Sequence, residues 1–133
     1  MIRIIDASVA VKWFTPEPLH GAARALLDAP DQRIAPDWLL VEVANVLWKQ
    51  EERGEIDAEL AGHVLDLLPR LVALVPAGPI VARALALARR LHHPVHDCLY
   101  VALAEETGGV LVTADAGLAR QSARHRLPVE MLR

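Results

Sequence analysis

Short apolar runs that suit buried strands alternate with longer helical stretches along all 133 residues, and this alternation constrains the fold more than any other feature of the chain. Residues 2–5, 33–35, 71–75, 110–112 and 129–132 read as strands. Residues 8–14, 20–28, 38–53, 79–91, 97–106 and 116–124 read as helices, with one more helix that Asp57 caps and Pro69 stops after Leu68. Asp37 has the position and chemistry of an N-cap for the helix that starts at Trp38. The pattern predicts an α/β domain of three layers, α/β/α, around a mostly parallel sheet of about five short strands. A chain of this length forms one domain, residues 1–133, with no internal repeat or linker.

Four acids stand in settings unusual for a carboxylate. Asp6 follows the apolar run Ile2-Arg3-Ile4-Ile5, and Asp115 follows Val110-Leu111-Val112-Thr113-Ala114. Both positions lie beyond the carboxyl end of a strand, where sheets of this class bind their ligands. Each is also an ordinary place for a helix N-cap, and Asp97 has the same two readings at the start of its helix. Glu42 lies inside Leu39-Leu40-Val41-Glu42-Val43-Ala44, on a helix with apolar residues on nearly every side. An ionised carboxylate there needs a cation, a partner such as arginine, or a route to the surface. Asn45 and Lys49 continue a polar stripe from Glu42 along that helix. If the four acids meet, their oxygens select Mg²⁺ or Mn²⁺ over zinc, and such a site suits phosphodiester hydrolysis.

Composition removes several classes. The apolar runs are broken by Pro69, Pro76 and Pro79 before they reach the ~18 residues of a membrane span. Cys98 is the only cysteine, which excludes an internal disulfide and a thiolate zinc cluster. With an opening that is directly strand-like, no leader or anchor is expected and the expected location is cytoplasmic. Net charge is −3, so affinity for nucleic acid cannot come from overall positive charge. The charge is uneven: residues 1–70 hold 12 acidic and 7 basic side chains, and residues 71–133 hold 5 and 7. Arg83, Arg89, Arg90, Arg120, Arg124 and Arg126 fit solvated helix faces or a phosphate-binding rim.

Four segments, Ile4-Ile5-Asp6-Ala7-Ser8, Glu42-Val43-Ala44-Asn45-Val46-Leu47, His96-Asp97-Cys98-Leu99-Tyr100-Val101-Ala102-Leu103-Ala104 and Leu111-Val112-Thr113-Ala114-Asp115, occur in an order and spacing that resembles the PIN domain. Over essentially its full length the chain is similar to the toxin nucleases of bacterial VapBC toxin–antitoxin pairs. The resemblance implies an endoribonuclease whose Mg²⁺ or Mn²⁺ site is formed by Asp6, Glu42, Asp97 and Asp115. Within it Asp6 and Asp97 are direct ligands, and Glu42 and Asp115 act directly or through water. It further implies that Ser8 and Thr113 hold a carboxylate or a water by hydrogen bonds and that Asn45 braces the site. The implied products carry 3′-hydroxyl and 5′-phosphate ends. The implied partners are RNA, a VapB-type antitoxin that covers the acidic cleft, and a second copy in a homodimer, with inhibition of translation and growth as the outcome. Some relatives carry another acid shortly after the fourth, but Asp115 is followed by Ala116-Gly117-Leu118-Ala119-Arg120, so a complete second metal site is not expected.

The remaining residues suggest less. His92, His93 and His96 span Pro94 with no cysteine beside them and read as loop histidines. Cys98 reads as a packing residue, and Trp13, Trp38 and Trp48 as core or subunit contacts, with base stacking the lesser alternative. Two other functions compete with a nuclease. A haloacid-dehalogenase-like phosphatase would use Asp6 as nucleophile, but it needs an acid where Ser8 stands. A non-catalytic, magnesium-binding interaction domain of the response-regulator kind needs a lysine ending a late strand, and the chain has only Lys12 and Lys49.

Overall fold

The computed structural model describes residues 1–133. Five strands, β1 (Ile2–Ile5), β2 (Gln32–Pro36), β3 (Ala73–Val75), β4 (Val110–Thr113) and β5 (Val129–Met131), form one sheet in the order β3-β2-β1-β4-β5. Every pairing is parallel, so the sheet is wholly rather than mostly so. Seven α-helices cover it: α1 (Ala7–Ala10), α2 (His20–Asp28), α3 (Trp38–Glu52), α4 (Ala58–Leu71), α5 (Val81–Leu91), α6 (Val95–Thr107) and α7 (Ala116–Arg124). No helix is long and apolar enough to cross a membrane.

The strand order locates the site. From β1 the chain builds outward through β2 to β3, then returns across the sheet so that β4 lies on the other side of β1. That reversal opens a crevice at the carboxyl ends of β1 and β4. Register decides what lines it: Ile5 pairs with Val112, which places Asp6 beside Thr113. Gly109 permits this pairing, because a Cβ there would stand 2.8 Å from the Ile2 carbonyl oxygen.

Helix α6 packs on β1, β2 and β4 with α5 outside it. Cys98 through Ala104 are all buried, so α6 is apolar around its circumference and is fixed by the core rather than by one amphipathic face. Its first turn, with His96 and Asp97, reaches the crevice, and Tyr100 one turn later reaches Glu42 from beneath. Helix α3 turns Leu39, Val43 and Leu47 into the core, which leaves Trp38, Val41, Glu42 and Asn45 on a neighbouring face.

Several element bounds differ from the sequence expectation for local reasons. The helix read at 8–14 is α1 followed by a 3-10 turn, Val11–Trp13. Proline at 79 begins a second 3-10 turn, Gly78–Ile80, before α5 starts. Helix α4 passes Pro69 and ends at Leu71, with Asp57 capping it as read and Leu68 fully buried; the proline falls in its last turn. Asp37 precedes α3 but does not cap it: its Oδ1 accepts the Ala77 amide at 3.1 Å and ties α3 to the chain after β3. Helix α6 begins at Val95 after Pro94, so Asp97 sits inside its first turn and is not a cap.

Candidate metal centre and active site

Asp6 leaves β1 with extended backbone and caps α1, its Oδ1 accepting the Val9 amide at 3.2 Å and the Ser8 hydroxyl at 2.6 Å. Its Oδ2 accepts the Thr113 hydroxyl at 2.5 Å. The two hydroxyls reach further: Ser8 Oγ accepts the Ala114 amide and Thr113 Oγ1 the Asp115 amide, each at 3.0 Å. A continuous network therefore joins the ends of β1 and β4. Asp6 is only 7% exposed. Burial raises its carboxyl from 3.8 to about 6; the bonds from Ser8, Thr113 and Val9 oppose that rise and the nearby Asp97 adds to it.

Glu42 projects from α3 and its Oε1 accepts the Tyr100 hydroxyl at 2.7 Å. Tyr100 lies one turn after Asp97 on α6 and is 1% exposed, so this bond is sheltered from water. Burial raises the Glu42 carboxyl, Tyr100 and His96 lower it, and Asp97 and Asp6 raise it again. Tyr100 in turn is held firmly protonated by burial and by Glu42. Asp6, Glu42 and Asp97 are therefore close enough for the charge of each to bear on the others' ionisation.

Asp97 is the junction of the site. Its Oδ2 lies 2.9 Å from His93 Nε2, and its Oδ1 lies 3.5 Å from His96 Nε2. His93 Nε2 also stands 3.4 Å from Asp115 Oδ2, while Asp115 Oδ1 caps α7 by accepting the Leu118 amide at 3.0 Å. Two compact groups result, Glu42–His96–Asp97 and His93–Asp97–Asp115, each with ligand atoms within 4.8 Å of one another. Asp97 belongs to both and Asp6 to neither; Asp6 Oδ1 accepts from Ser8 and Val9, while its Oδ2 accepts only from Thr113 and keeps a lone pair for a further partner. Although His93 Nε2 is close to Asp97, the approach is poorly directed for a hydrogen bond and leaves this buried nitrogen without a partner. Carboxylate oxygens of Glu42, Asp97 and Asp115 converging in one crevice, beside a buried Asp6, are the donors a hard divalent cation takes, and the unpartnered His93 nitrogen leaves room for a further ligand among them.

The four acids predicted from sequence are thus gathered at one crevice, and Ser8 and Thr113 bond to Asp6 within it. Asn45 does not bond to any acid; it lines a cleft beside Glu42. His93 lies in the loop between α5 and α6 as expected, whereas His96 falls in the first turn of α6, whose N-cap is Pro94; both stand against Asp97. Tyr100, three residues after Asp97 on α6, shares a helix face with it, and that spacing is the signal in the sequence for its place at the site. Cys98 is a buried packing residue as expected, its thiol pushed up to about 11 by burial and Asp97. Trp13 is core, its indole donating to the Ala23 carbonyl at 2.8 Å, but Trp38 and Trp48 are exposed. Of the arginines, Arg83 is paired with Glu105.

A PIN-domain family profile matches residues 3–123. Ribonuclease VapC12 of Mycobacterium tuberculosis is 36% identical over 130 residues, covering 97% of this chain and 98% of that protein. Ribonuclease VapC3 of Pyrobaculum aerophilum is 32% identical over 124 residues, covering 91% and 95% respectively. Among solved structures, PAE2754 from Pyrobaculum aerophilum superposes with a TM-score of 0.76 at 20% identity, covering 99% of this chain and 90% of that one. FitAcB from Neisseria gonorrhoeae gives 0.67 at 17% identity, covering 97% and 96%. The two structures bear on the fold alone.

Proposed function

The chain belongs to the PIN-domain family, and from that premise we propose that it is a Mg²⁺- or Mn²⁺-dependent endoribonuclease, the toxin of a VapBC-type toxin–antitoxin pair. The observation that carries the reading is Asp97 standing in two ligand groups at once, beside a buried Asp6, at the point where the sheet reverses direction. The names of the two ribonuclease relatives support RNA as the substrate. When bound, a divalent cation supplies Lewis-acid stabilisation of phosphodiester charge and lowers the pKa of a water. Asp97 would hold it, with Glu42 on one side and Asp115 on the other. Asp6, fixed by Ser8 and Thr113, adds the negative potential that makes the crevice select a cation. Tyr100 donates to Glu42 Oε1 and so orients the carboxylate that would hold the cation.

In this reading a VapB-type antitoxin masks the acidic crevice, a second copy pairs with the first as a homodimer, and unmasked cleavage stops translation and growth. The competing readings lose support in the site. Position 8 offers a hydroxyl already donated to Asp6, not an acid able to protonate a phosphatase leaving group. Lys12 lies in a 3-10 turn and Lys49 on α3, so neither ends a strand as a phosphoacceptor domain requires. Incubating the purified protein with RNA and Mn²⁺, with and without EDTA, tests the proposal. Cleavage is expected with the ion and not after chelation, and identical products from wild type and Asp6→Ala would refute it. Co-expression with the product of the adjacent reading frame tests the antitoxin.

A further inference from the structure

We infer that the cleft between the first half of α3 and the start of α6 is a nucleobase subsite, in which Trp38 stacks on a base next to the scissile phosphate and Asn45 and His96 read its edge. This rests on the nuclease reading. The cleft is about 330 Å³, large enough for a single small ligand. Its lining includes Ala7, Trp38, Val41, Glu42, Asn45 and His96.

Three observations converge on this occupant. Trp38, Val41, Glu42 and Asn45 follow the i, i+3, i+4, i+7 spacing of one helix face, so the carboxylate and the exposed aromatic ring are mounted on the same rigid element. Trp38 is 40% exposed and Val41 50%, an apolar wall left open beside an ionic site, which the core does not explain. Glu42 and His96 belong both to this cleft and to a ligand group with Asp97, so the cleft opens directly onto the place proposed for the phosphate. An apolar protein side chain would cover Trp38 and Val41 but leave the polar edges of Asn45 and His96 without partners. A base meets both needs, with a π-face for the ring and donors and acceptors for the edge. Its sugar connects it to a phosphate at the acids.

The test is kinetic. Single-stranded oligoribonucleotides carrying each of the four bases on either side of one cut site are cleaved with Mn²⁺, and KM and kcat are read separately. Trp38→Ala is expected to raise KM about 5- to 150-fold and to flatten the base preference, with melting temperature and Mn²⁺ affinity unchanged. Trp38→Phe should recover most of the loss, and Asn45→Ala should alter which base is preferred. Wild-type KM and preference in Trp38→Ala would overturn the subsite, as would a variant that loses only its hold on an antitoxin. If the wild type cuts no RNA, the nuclease reading fails separately, and the cleft is then probed by binding. In a Trp48→Phe background, nucleoside 5′-monophosphates with Mg²⁺ should quench fluorescence that disappears in Trp38→Phe; absence of quenching overturns the subsite.

Discussion

Asp6 and Asp115 occupy nearly the same local structure and end in different environments. Each follows a parallel strand, caps the next helix by offering Oδ1 to the amide three residues on, and has a hydroxyl residue two positions away. Asp6, however, follows the central strand and is covered from both sides, so its Oδ2 meets Thr113 and its exposure is 7%. The Asp115 side chain is 39% exposed, and its Oδ2 faces His93 with no hydroxyl to hold it. One motif therefore yields a fixed, desolvated carboxylate and a solvated one, and only the sheet position separates them. In the proposed site, Asp6 would therefore be held in place before any ion binds, and the Asp115 carboxylate would be free to adjust to one.

The largest expected effect divides the two in activity. Asp6→Asn should lower the Mn²⁺-dependent rate of RNA cleavage by about 10²–10³-fold, the scale for removing one preorganised electrostatic group. Asp115→Asn should lower it by about 10- to 100-fold, as for residues that tune a metal from its periphery. Steady-state rates at saturating ion check this, and equal losses would break the comparison.

Stability against pH is the next contrast. The folded Asp6 carboxyl sits at about 6 against 3.8 in the unfolded chain, so between those values the native state binds more protons than the unfolded state. The metal-free protein should gain stability as pH falls from above 6 towards 4, by at most roughly 3 kcal/mol. Glu42, also raised by burial, contributes in the same direction. Urea denaturation in EDTA should show the gain, Asp6→Asn should remove most of it, and Asp115→Asn should leave it in place. Adding Mg²⁺ should stabilise the protein most at neutral pH, where the acids are ionised.

Thr113 couples the two aspartates, since one hydroxyl donates to Asp6 and accepts from the Asp115 amide. Thr113→Val should cost about 1–3 kcal/mol, because it strands a buried charge and a backbone donor together. Thr113→Ser should recover most of that cost. A valine variant as stable as wild type would mean that the network does not hold Asp6.

The sequence carried the strand ends well, because Ile2–Ile5 and Val110–Thr113 are runs rich in β-branched residues and too short for a helix, and each leads into an acid. It carried Glu42 through the cost of a carboxylate on an apolar helix. What it did not carry depends on how the helices face one another. Pro94 does separate the histidines, leaving His93 in the loop and His96 in the first turn of α6, yet the loop folds back so that both come against Asp97, a contact no spacing reports. His92 helps by taking a left-handed turn at φ 50°, a conformation usually left to glycine, which ends α5 abruptly before α6 begins. The contact between Tyr100 and Glu42 joins residues 58 positions apart, and no local pattern reports it. Helix α3 likewise displays Trp38 because Leu39, Val43 and Leu47 take the core, a choice fixed by packing rather than by apolar content.

The smallest expected effect settles whether Asp115 is more than a cap, the ambiguity its sequence position leaves open. Asparagine caps helices about as well as aspartate, so Asp115→Asn should change stability by only a few tenths of a kcal/mol, whereas Asp115→Ala should cost about 1 kcal/mol. If Asp115 acts only through α7, activity should follow the cap, with the asparagine variant active and the alanine variant impaired. If its Oδ2 serves the site beside His93, both variants should lose similar activity despite their unequal stabilities, and Mn²⁺ titration calorimetry should show similarly weakened binding in both. Asp6 cannot be separated in this way, because asparagine there removes the desolvated charge and keeps the cap, so stability should rise as activity falls. Opposite stability responses to the same substitution in the same local motif would locate the difference in burial rather than in capping.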